Sequence, residues 1–376
     1  MVKFISQLLI ASLIAFLSPQ SAAANPEPPK ISITTINTPN LKVVGSNGER
    51  GAAIAKLSDS KFLLGGGRNG SNLYLYDLST KSEQLIGRVI SPNQRINDSR
   101  FAITDIAVLA SDSKSASVLI SYPIYNKTSK CVVVKLSAYE VALTEKPKLS
   151  KQKDWFTSKP CVPVSAVQHA AGRLEVIDKA TAYLTIGDLG FKKIGSKSAR
   201  GDLGSVFKVG ASKVEKISSG HRNQQGIVLI GTDLYTSEHG PRGGDELNLI
   251  KKGVDYGWPS VTYGDRYSFF DYVKPARPGT HEGFEKPLYY WVPSVAPTEL
   301  IQLPTSSTWG SWSEQLVMGT LANQSLIFIQ LLAKQRVGAV VSVDVGQRIR
   351  DLEVTSTGSI LATTDSGQLL LINAAE

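Results

Sequence analysis

The sequence predicts an all-β fold, a β-propeller of four-stranded antiparallel blades, and three observations carry that prediction. Short strand signals dominate after residue 40, helical periodicity is nearly absent beyond the N-terminus, and one turn–strand–turn–strand unit recurs. Residues 57–64 lead through a Gly-rich turn to residues 72–77, and residues 356–362 lead through 365–367 to 369–373. Residues 177–188 and 224–250 echo parts of this unit. A recurring up-and-down sheet of about 45–55 residues marks a propeller blade and divides the chain into roughly six or seven. A sandwich or barrel would need fewer strands, and closing a ring protects edges that an open array leaves unpaired.

Taken in order, the chain starts with Lys3, a positive charge ahead of an apolar run from Leu8 to Leu17. That run is short for a bilayer span. Ser18-Pro19 then breaks a helix, and Ser21-Ala22-Ala23-Ala24 suits a signal peptidase. Residues 1–24 are therefore expected to be a signal peptide, the alternative being an uncleaved N-terminal anchor. Residues 25–40 read as an N-terminal tail and 41–376 as the propeller. No later segment is long and apolar enough for a membrane span. The mature protein is expected to be exported, periplasmic or secreted.

Strands are expected at 61–64, 72–76, 118–122, 132–136, 183–186, 227–230, 326–331 and 369–372, where β-branched and aromatic residues run between Gly, Asp, Asn or Ser. Gly65-Gly66-Gly67-Arg68-Asn69-Gly70 lacks the Lys-Ser/Thr of a phosphate loop and no helix follows it, so it reads as a hairpin turn. Net charge is +9 with both signs spread along the chain. No basic run interleaves with aromatics, which excludes a nucleic-acid pattern. The surplus reads as a basic surface, or in part as arginines for an anionic cofactor. Cys131 and Cys161 are the only cysteines. They either pair, as an oxidising compartment allows, or stay as two buried thiols. They are too few for a four-cysteine zinc site.

Four histidines can each be weighed. His281, in Pro278-Gly279-Thr280-His281-Glu282-Gly283, is expected to be an exposed loop residue. No pair has the HExxH spacing of a helical zinc site. His169 precedes a strand pair ending Thr185-Ile186-Gly187-Asp188; a neutral imidazole can take a proton from a hydroxyl, and a nearby carboxylate can orient it. Its alternative is a structural loop histidine. Gly220-His221-Arg222-Asn223-Gln224-Gln225-Gly226 concentrates donors that hold carboxylates and carbonyls, or forms a polar connection between blades. In Ser237-Glu238-His239-Gly240-Pro241-Arg242-Gly243-Gly244-Asp245-Glu246, carboxylates and kinked backbone carbonyls offer what a hard cation such as Ca²⁺ needs. The spacing is not that of an EF-hand, and an acidic solvated turn is the alternative. Arg348-Ile349-Arg350-Asp351 puts two arginines on one strand face, where they repel unless an anion or a carboxylate lies between them.

In this order and at these separations the segments resemble the PQQ-dependent glucose/sorbosone dehydrogenase family, in particular its soluble aldose sugar dehydrogenases. The matching pieces are His169-Ala-Ala-Gly-Arg-Leu, Thr185-Ile-Gly-Asp188, Gly220-His-Arg-Asn-Gln-Gln-Gly226, Glu238-His-Gly-Pro-Arg-Gly-Gly-Asp-Glu246, Asp255-Tyr-Gly-Trp-Pro259, Pro293-Ser-Val-Ala-Pro297 and Arg348-Ile-Arg-Asp351. The resemblance runs from about residue 100 to the C-terminus and is strongest between 165 and 300. It implies a six-bladed propeller that oxidises an aldose with PQQ and Ca²⁺ to a lactone and passes electrons to an external acceptor. It implies that His169 is the general base and that Arg222 stabilises charge growing on the quinone oxygen. It further implies that Asn223 and Tyr267 contact the cofactor and that Arg348 and Arg350 neutralise its carboxylates. Backbone oxygens of Gly240 and Pro241 would bind the calcium that polarises PQQ, while Glu246 and Tyr256 would belong to a second, structural calcium site.

The sequence also departs from the family's pattern. The glutamine of an early Gly-rich motif is absent from Asp98-Ser99-Arg100-Phe101-Ala102-Ile103-Thr104-Asp105-Ile106, and Ala322 stands where the family carries a lysine. Losing an amide and a cation from the pocket of a triply acidic cofactor costs about a few kcal/mol. These departures keep two other readings open: a degenerate, non-redox propeller that binds a sugar or another ligand, and a calcium-dependent lactonase-type hydrolase.

Overall fold

The computed structural model describes residues 26–164, 169–268, 273–305 and 307–375; the expected signal peptide lies outside the described residues. Six sheets of antiparallel strands follow one another around a ring. Blade 1 comprises Ala53–Lys56, Lys61–Gly66, Asn72–Asp77 and Ser82–Arg88. Blade 2 comprises Asp105–Ser111, Ser115–Asn126, Cys131–Ala142 and Lys148–Thr157, with Val162–Pro163 added beside the third strand. Blade 3 comprises Ala171–Asp178, Thr181–Ile186, Ser205–Gly210 and Val214–Ser219. Blade 4 comprises Gln224–Ile230, Asp233–Glu238, Asp245–Ile250 and Tyr289–Trp291. Blade 5 comprises Pro297–Gln302, Leu316–Thr320, Ser325–Leu332 and Arg336–Asp344.

Blade 6 takes three strands from the C-terminus, Ile349–Val354, Ile360–Thr364 and Gln368–Ala374. Its fourth is Ile31–Asn37, antiparallel to the last strand with Ile31 opposite Ala374. Residues 31–37, expected in the N-terminal tail, are thus the outer strand of the last blade and close the ring. Their polar alternation, Ser32, Thr34 and Thr35 among isoleucines, is that of an edge strand with little apolar content to announce it.

Apolar runs on both faces of the strands build the core. In Phe62-Leu63-Leu64, Leu63 packs towards blade 2 while Phe62 and Leu64 pack towards blade 6. In Ile360-Leu361-Ala362, Ile360 and Ala362 pack towards blade 5 and Leu361 towards blade 1. Side chains alternate across a strand, so a blade squeezed between two neighbours needs apolar residues at every position. Each such fully buried Leu or Phe contributes roughly 1.5–3 kcal/mol.

The innermost strands surround an axis plugged by Arg173. Its guanidinium lies 2.5 Å from Glu299, 2.8 Å from Asp351 and 3.8 Å from Asp105. Cys131 and Cys161 form a disulfide within blade 2, Cα atoms 5.4 Å apart, which decides between the two readings of those residues. Among the described residues no helix is long and apolar enough to cross a membrane.

Candidate active site

His169 lies just before the first strand of blade 3, and Asp188 just after the second. Gly187 lets them meet, because a Cβ there would sit 2.0 Å from the His169 carbonyl oxygen. The Leu189 N–H then donates to that carbonyl at 3.1 Å. His169 Nδ1 is 2.6 Å from Asp188 Oδ1. Asp188 is fully buried and also accepts from Trp258 Nε1 and from the Gly190 N–H, each at 2.7 Å. Burial alone would raise its pKa, but His169 and Arg222 outweigh that and hold Asp188 below the usual carboxylate range. An ionised carboxylate only accepts, so Nδ1 carries the proton and Nε2 presents its lone pair as an acceptor. Burial, reinforced by Arg222, pushes the His169 pKa down against the pull of Asp188, keeping the imidazole neutral at pH 7.

Arg222 stands on the connection from blade 3 to blade 4. Its Nη2 is 3.3 Å from His169 Nε2, and Nη1 donates to the carbonyls of His239 at 3.1 Å and Gly240 at 2.5 Å. The guanidinium lies 5.4 Å from the Trp258 ring, and its Nε is buried without a partner. Asn223 Oδ1 accepts from the Ala171 N–H at 3.2 Å and from Gln225 Nε2 at 3.0 Å. Glu238 fixes this connection by accepting from the Arg222 N–H and by pairing with His221 Nδ1 at 2.8 Å. His221 also meets Ser218 Oγ at 2.8 Å and stacks on Tyr256, so it is a structural residue.

Asp245 holds the Gly/Pro loop in place. It accepts from the Gly240 N–H at 3.0 Å, from Ser294 Oγ at 2.6 Å, and from the N–H groups of Val295 and Ala296 at 2.8 Å each. Two segments distant in the chain, 238–246 and 293–297, are thereby joined. Tyr267 donates its hydroxyl to the Pro241 carbonyl at 3.1 Å. Across the mouth, Asp365 lies between the two arginines whose repulsion the sequence anticipated: Arg348 Nε is 3.0 Å and Arg350 Nε 2.9 Å from its carboxylate.

These groups line one cavity of about 360 Å³. It gathers His169, Arg222, Asn223, Tyr267, Arg348 and Arg350 with the backbone of Gly240. Pro241, Glu246 and Tyr256 border a smaller adjoining cavity with Glu238 and His281. Leu321, and not Ala322, lines the main cavity. Sequence reasoning missed Arg50, Arg100 and the clamp formed by Asp245. The first two lie in the N-terminal region, where the motif pattern is faint. Arg100 is paired with Asp98, at 3.0 Å from Nε to either carboxylate oxygen.

His281 corrects an expectation. It is buried at 3% exposure, with Nε2 2.7 Å from Glu246 and Nδ1 3.0 Å from the Glu285 carbonyl. Nδ1 donates to the Glu285 carbonyl, and with Glu246 ionised the contact at Nε2 makes the ring an imidazolium. Burial opposes that charge, but the bond to Glu246 outweighs it and raises the His281 pKa. Burial likewise raises Glu246 against the pull of His281. Nothing in a Gly/Pro loop signals that a buried acid 35 residues away will draw its histidine inward.

The residues present fit an anionic cofactor: arginines wall the cavity and a buried guanidinium nitrogen of Arg222 lacks a partner. The carbonyls of Gly240 and Pro241 are hard oxygen donors that keep a second lone pair each, the ligand type calcium takes. Asp105, Glu299 and Asp351 are also close enough to share an ion, but Arg173 fills that place.

The ring thus carries a cation-rich cavity beside its axis, with a neutral imidazole oriented by a buried carboxylate at its wall. The chain belongs to the glucose/sorbosone dehydrogenase family, whose sequence profile matches residues 51–372. It is 31% identical over 245 residues to aldose sugar dehydrogenase YliI of Escherichia coli (strain K12), a match covering 60% of this chain and 66% of that one. It is 32% identical over 147 residues to quinoprotein glucose dehydrogenase B of Acinetobacter calcoaceticus, covering 30% of this chain and 31% of that one. The chain thus spans less than two thirds of either curated relative. Among solved structures, the soluble aldose sugar dehydrogenase of Escherichia coli in its apo-form superposes with a TM-score of 0.73 at 21% identity. The PQQ-bound aldose sugar dehydrogenase of Streptomyces coelicolor gives 0.65 at 20% identity. Each superposition covers 92% of this chain and 99% of the other, and establishes the propeller fold.

Proposed function

We propose that the protein oxidises an aldose at its anomeric carbon to a lactone, using PQQ and Ca²⁺. The observation that carries this reading is His169 Nε2, left unprotonated because Nδ1–H bonds Asp188, and set 3.3 Å from Arg222 in a cavity walled by Arg348 and Arg350. His169 takes the proton of the anomeric hydroxyl at Nε2 as the C1–H leaves as hydride and the C1–O bond becomes a carbonyl. PQQ, when bound, supplies the two-electron acceptor for that hydride. Arg222 holds negative charge beside the base, in a buried site where a fixed donor is worth more than in water. Arg348, Arg350, Asn223 and Tyr267 would hold the cofactor, and the carbonyls of Gly240 and Pro241 would hold the calcium. Glu246 and Tyr256 remain the proposed second calcium site, where calcium would compete with His281 for the Glu246 carboxylate. Family membership and the PQQ-bound relative support this assignment. Export through residues 1–24 would place the reaction outside the cytoplasm, with an external electron acceptor.

The test is a titration of purified protein with PQQ and Ca²⁺, followed by dye reduction on a panel of aldoses. Activity is expected only with both cofactors present, and His169→Ala is expected to bind PQQ normally while losing turnover by about 10²–10⁴-fold. Sugar binding without any change in quinone absorbance would favour a non-redox sugar-binding propeller instead, a reading that Ala322 and the missing glutamine support. Lactone hydrolysis without PQQ would favour the hydrolase.

A further inference from the structure

We propose that Arg50 is a cofactor-binding cation, a third guanidinium beside Arg348 and Arg350 that takes a carboxylate of PQQ. The inference rests on reading the cavity as a PQQ site. Arg50 ends the short hairpin of Val43–Gly45 and Gly48–Arg50, which lies ahead of blade 1. It lines the same cavity as Arg348 and Arg350, alongside Asn47 and Glu49 of the hairpin. Gly51 brings it there: its N–H donates to Asp365 at 3.0 Å, and a Cβ on it would sit 2.9 Å from Arg350 Cβ. Only a glycine lets the hairpin backbone lie so close to the arginine pair.

What separates Arg50 from Arg348, Arg350 and Arg100 is that, among the described residues, it makes no ion pair: Asp365 and Asp351 pull on its charge only from a distance. Asp365 serves Arg348 and Arg350, Asp98 serves Arg100, and Glu49 is drawn to Lys42 at 2.8 Å. Arg50 Nε is buried with no hydrogen-bond partner. Burial, followed by repulsion from Arg350, lowers its pKa to about 9. A guanidinium kept charged under those conditions calls for an anion, and its place beside the arginine pair suits a carboxylate of a polyacidic ligand.

The experiment titrates the apo-protein with PQQ in the presence of Ca²⁺, following tryptophan emission, since Trp258 lies beside Arg222 in the site. PQQ trimethyl ester, which lacks the acidic charges, serves as the control ligand. Arg50→Gln is expected to raise the Kd for PQQ about tenfold to a hundredfold, with partial recovery in Arg50→Lys. Affinity for the ester should be equal in wild type and Arg50→Gln. The apo melting temperature of Arg50→Gln should be unchanged or higher, because an unanswered cation has been removed. Equal PQQ affinity in wild type and Arg50→Gln overturns the inference while leaving the proposed function standing. So does a fall in melting temperature with matching loss of ester binding, which would mark Arg50 as a structural prop. A wild-type protein that binds no PQQ overturns both.

Discussion

In the proposed reaction His169 is the base, and three other residues set it up for that role. Asp188 accepts a hydrogen bond from Nδ1–H, Arg222 donates towards Nε2, and Gly187 permits the backbone approach that aligns them. The His169 pKa lies below the ordinary value of about 6.5, so the acid limb of kcat/KM in the PQQ-loaded enzyme should fall below that pH. Asp188→Asn removes the negative charge that pulls the imidazole up and leaves one acceptor oxygen to serve His169 Nδ1, the Gly190 N–H and Trp258 Nε1, so the tautomer is no longer fixed. The acid limb should then move lower still, while the rate at pH 7 drops by about 10²–10⁴-fold. A pH–rate profile of the variant that overlays the wild type would show that Asp188 does not orient the base. This trio was legible in sequence because its members lie in short dense motifs. His281 was not, because its partner Glu246 belongs to another segment and local pattern is silent about contacts made only by folding.

At the scale of elements, half-buried acids on innermost strands staple some blades to their neighbours. Glu353 of blade 6 accepts from the Lys56 N–H of blade 1 at 2.8 Å, and Glu175 of blade 3 accepts from the Leu229 N–H of blade 4 at 3.2 Å. Burial pushes both acids up to about 7. Between roughly pH 4.5 and 7 the folded chain therefore holds a proton on Glu353 that the unfolded chain has lost. Its contribution to stability falls as pH rises through that window, and the full penalty stands above pH 7. Glu353→Gln keeps one acceptor oxygen but cannot ionise. Relative to wild type it should gain on the order of 1 kcal/mol between pH 5 and pH 8, its partial exposure discounted, as measured by urea unfolding at the two pH values. A pH-independent difference would show that Glu353 titrates normally. The strands themselves were readable because a blade between two blades is apolar on both faces, as Phe62-Leu63-Leu64 is. The closing strand 31–37 escaped because an outer strand buries little. The hairpin bearing Arg50 escaped because its six strand residues carry no periodicity.

The whole ring meets at Arg173. Its guanidinium, from blade 3, contacts Asp105 of blade 2, Glu299 of blade 5 and Asp351 of blade 6. Those carboxylates in turn accept backbone N–H groups from Leu174 of blade 3 at 2.6 Å, Ile227 of blade 4 at 3.1 Å and Ile54 of blade 1 at 3.0 Å. Every blade is tied to one cation. Arg173 also donates to the Thr104 carbonyl at 2.9 Å, and Thr104 lines the cavity, so the knot reaches the edge of the candidate site. Burial drives the pKa of Asp105 up to about 7, and that of Glu299 well above its ordinary value, even with the guanidinium present. Arg173→Met would leave three carboxylates facing one another without a counter-charge. At pH 8 this should cost about 3–5 kcal/mol, the range for removing one partner of a buried ion pair. At pH 5 Asp105 and Glu299, both raised by burial, can take up protons, and the cost should shrink. Chemical unfolding of wild type and Arg173→Met at the two pH values measures this directly. A penalty equal at both would mean that the guanidinium acts through packing alone, and that the blades are held by their apolar faces without help from the axis.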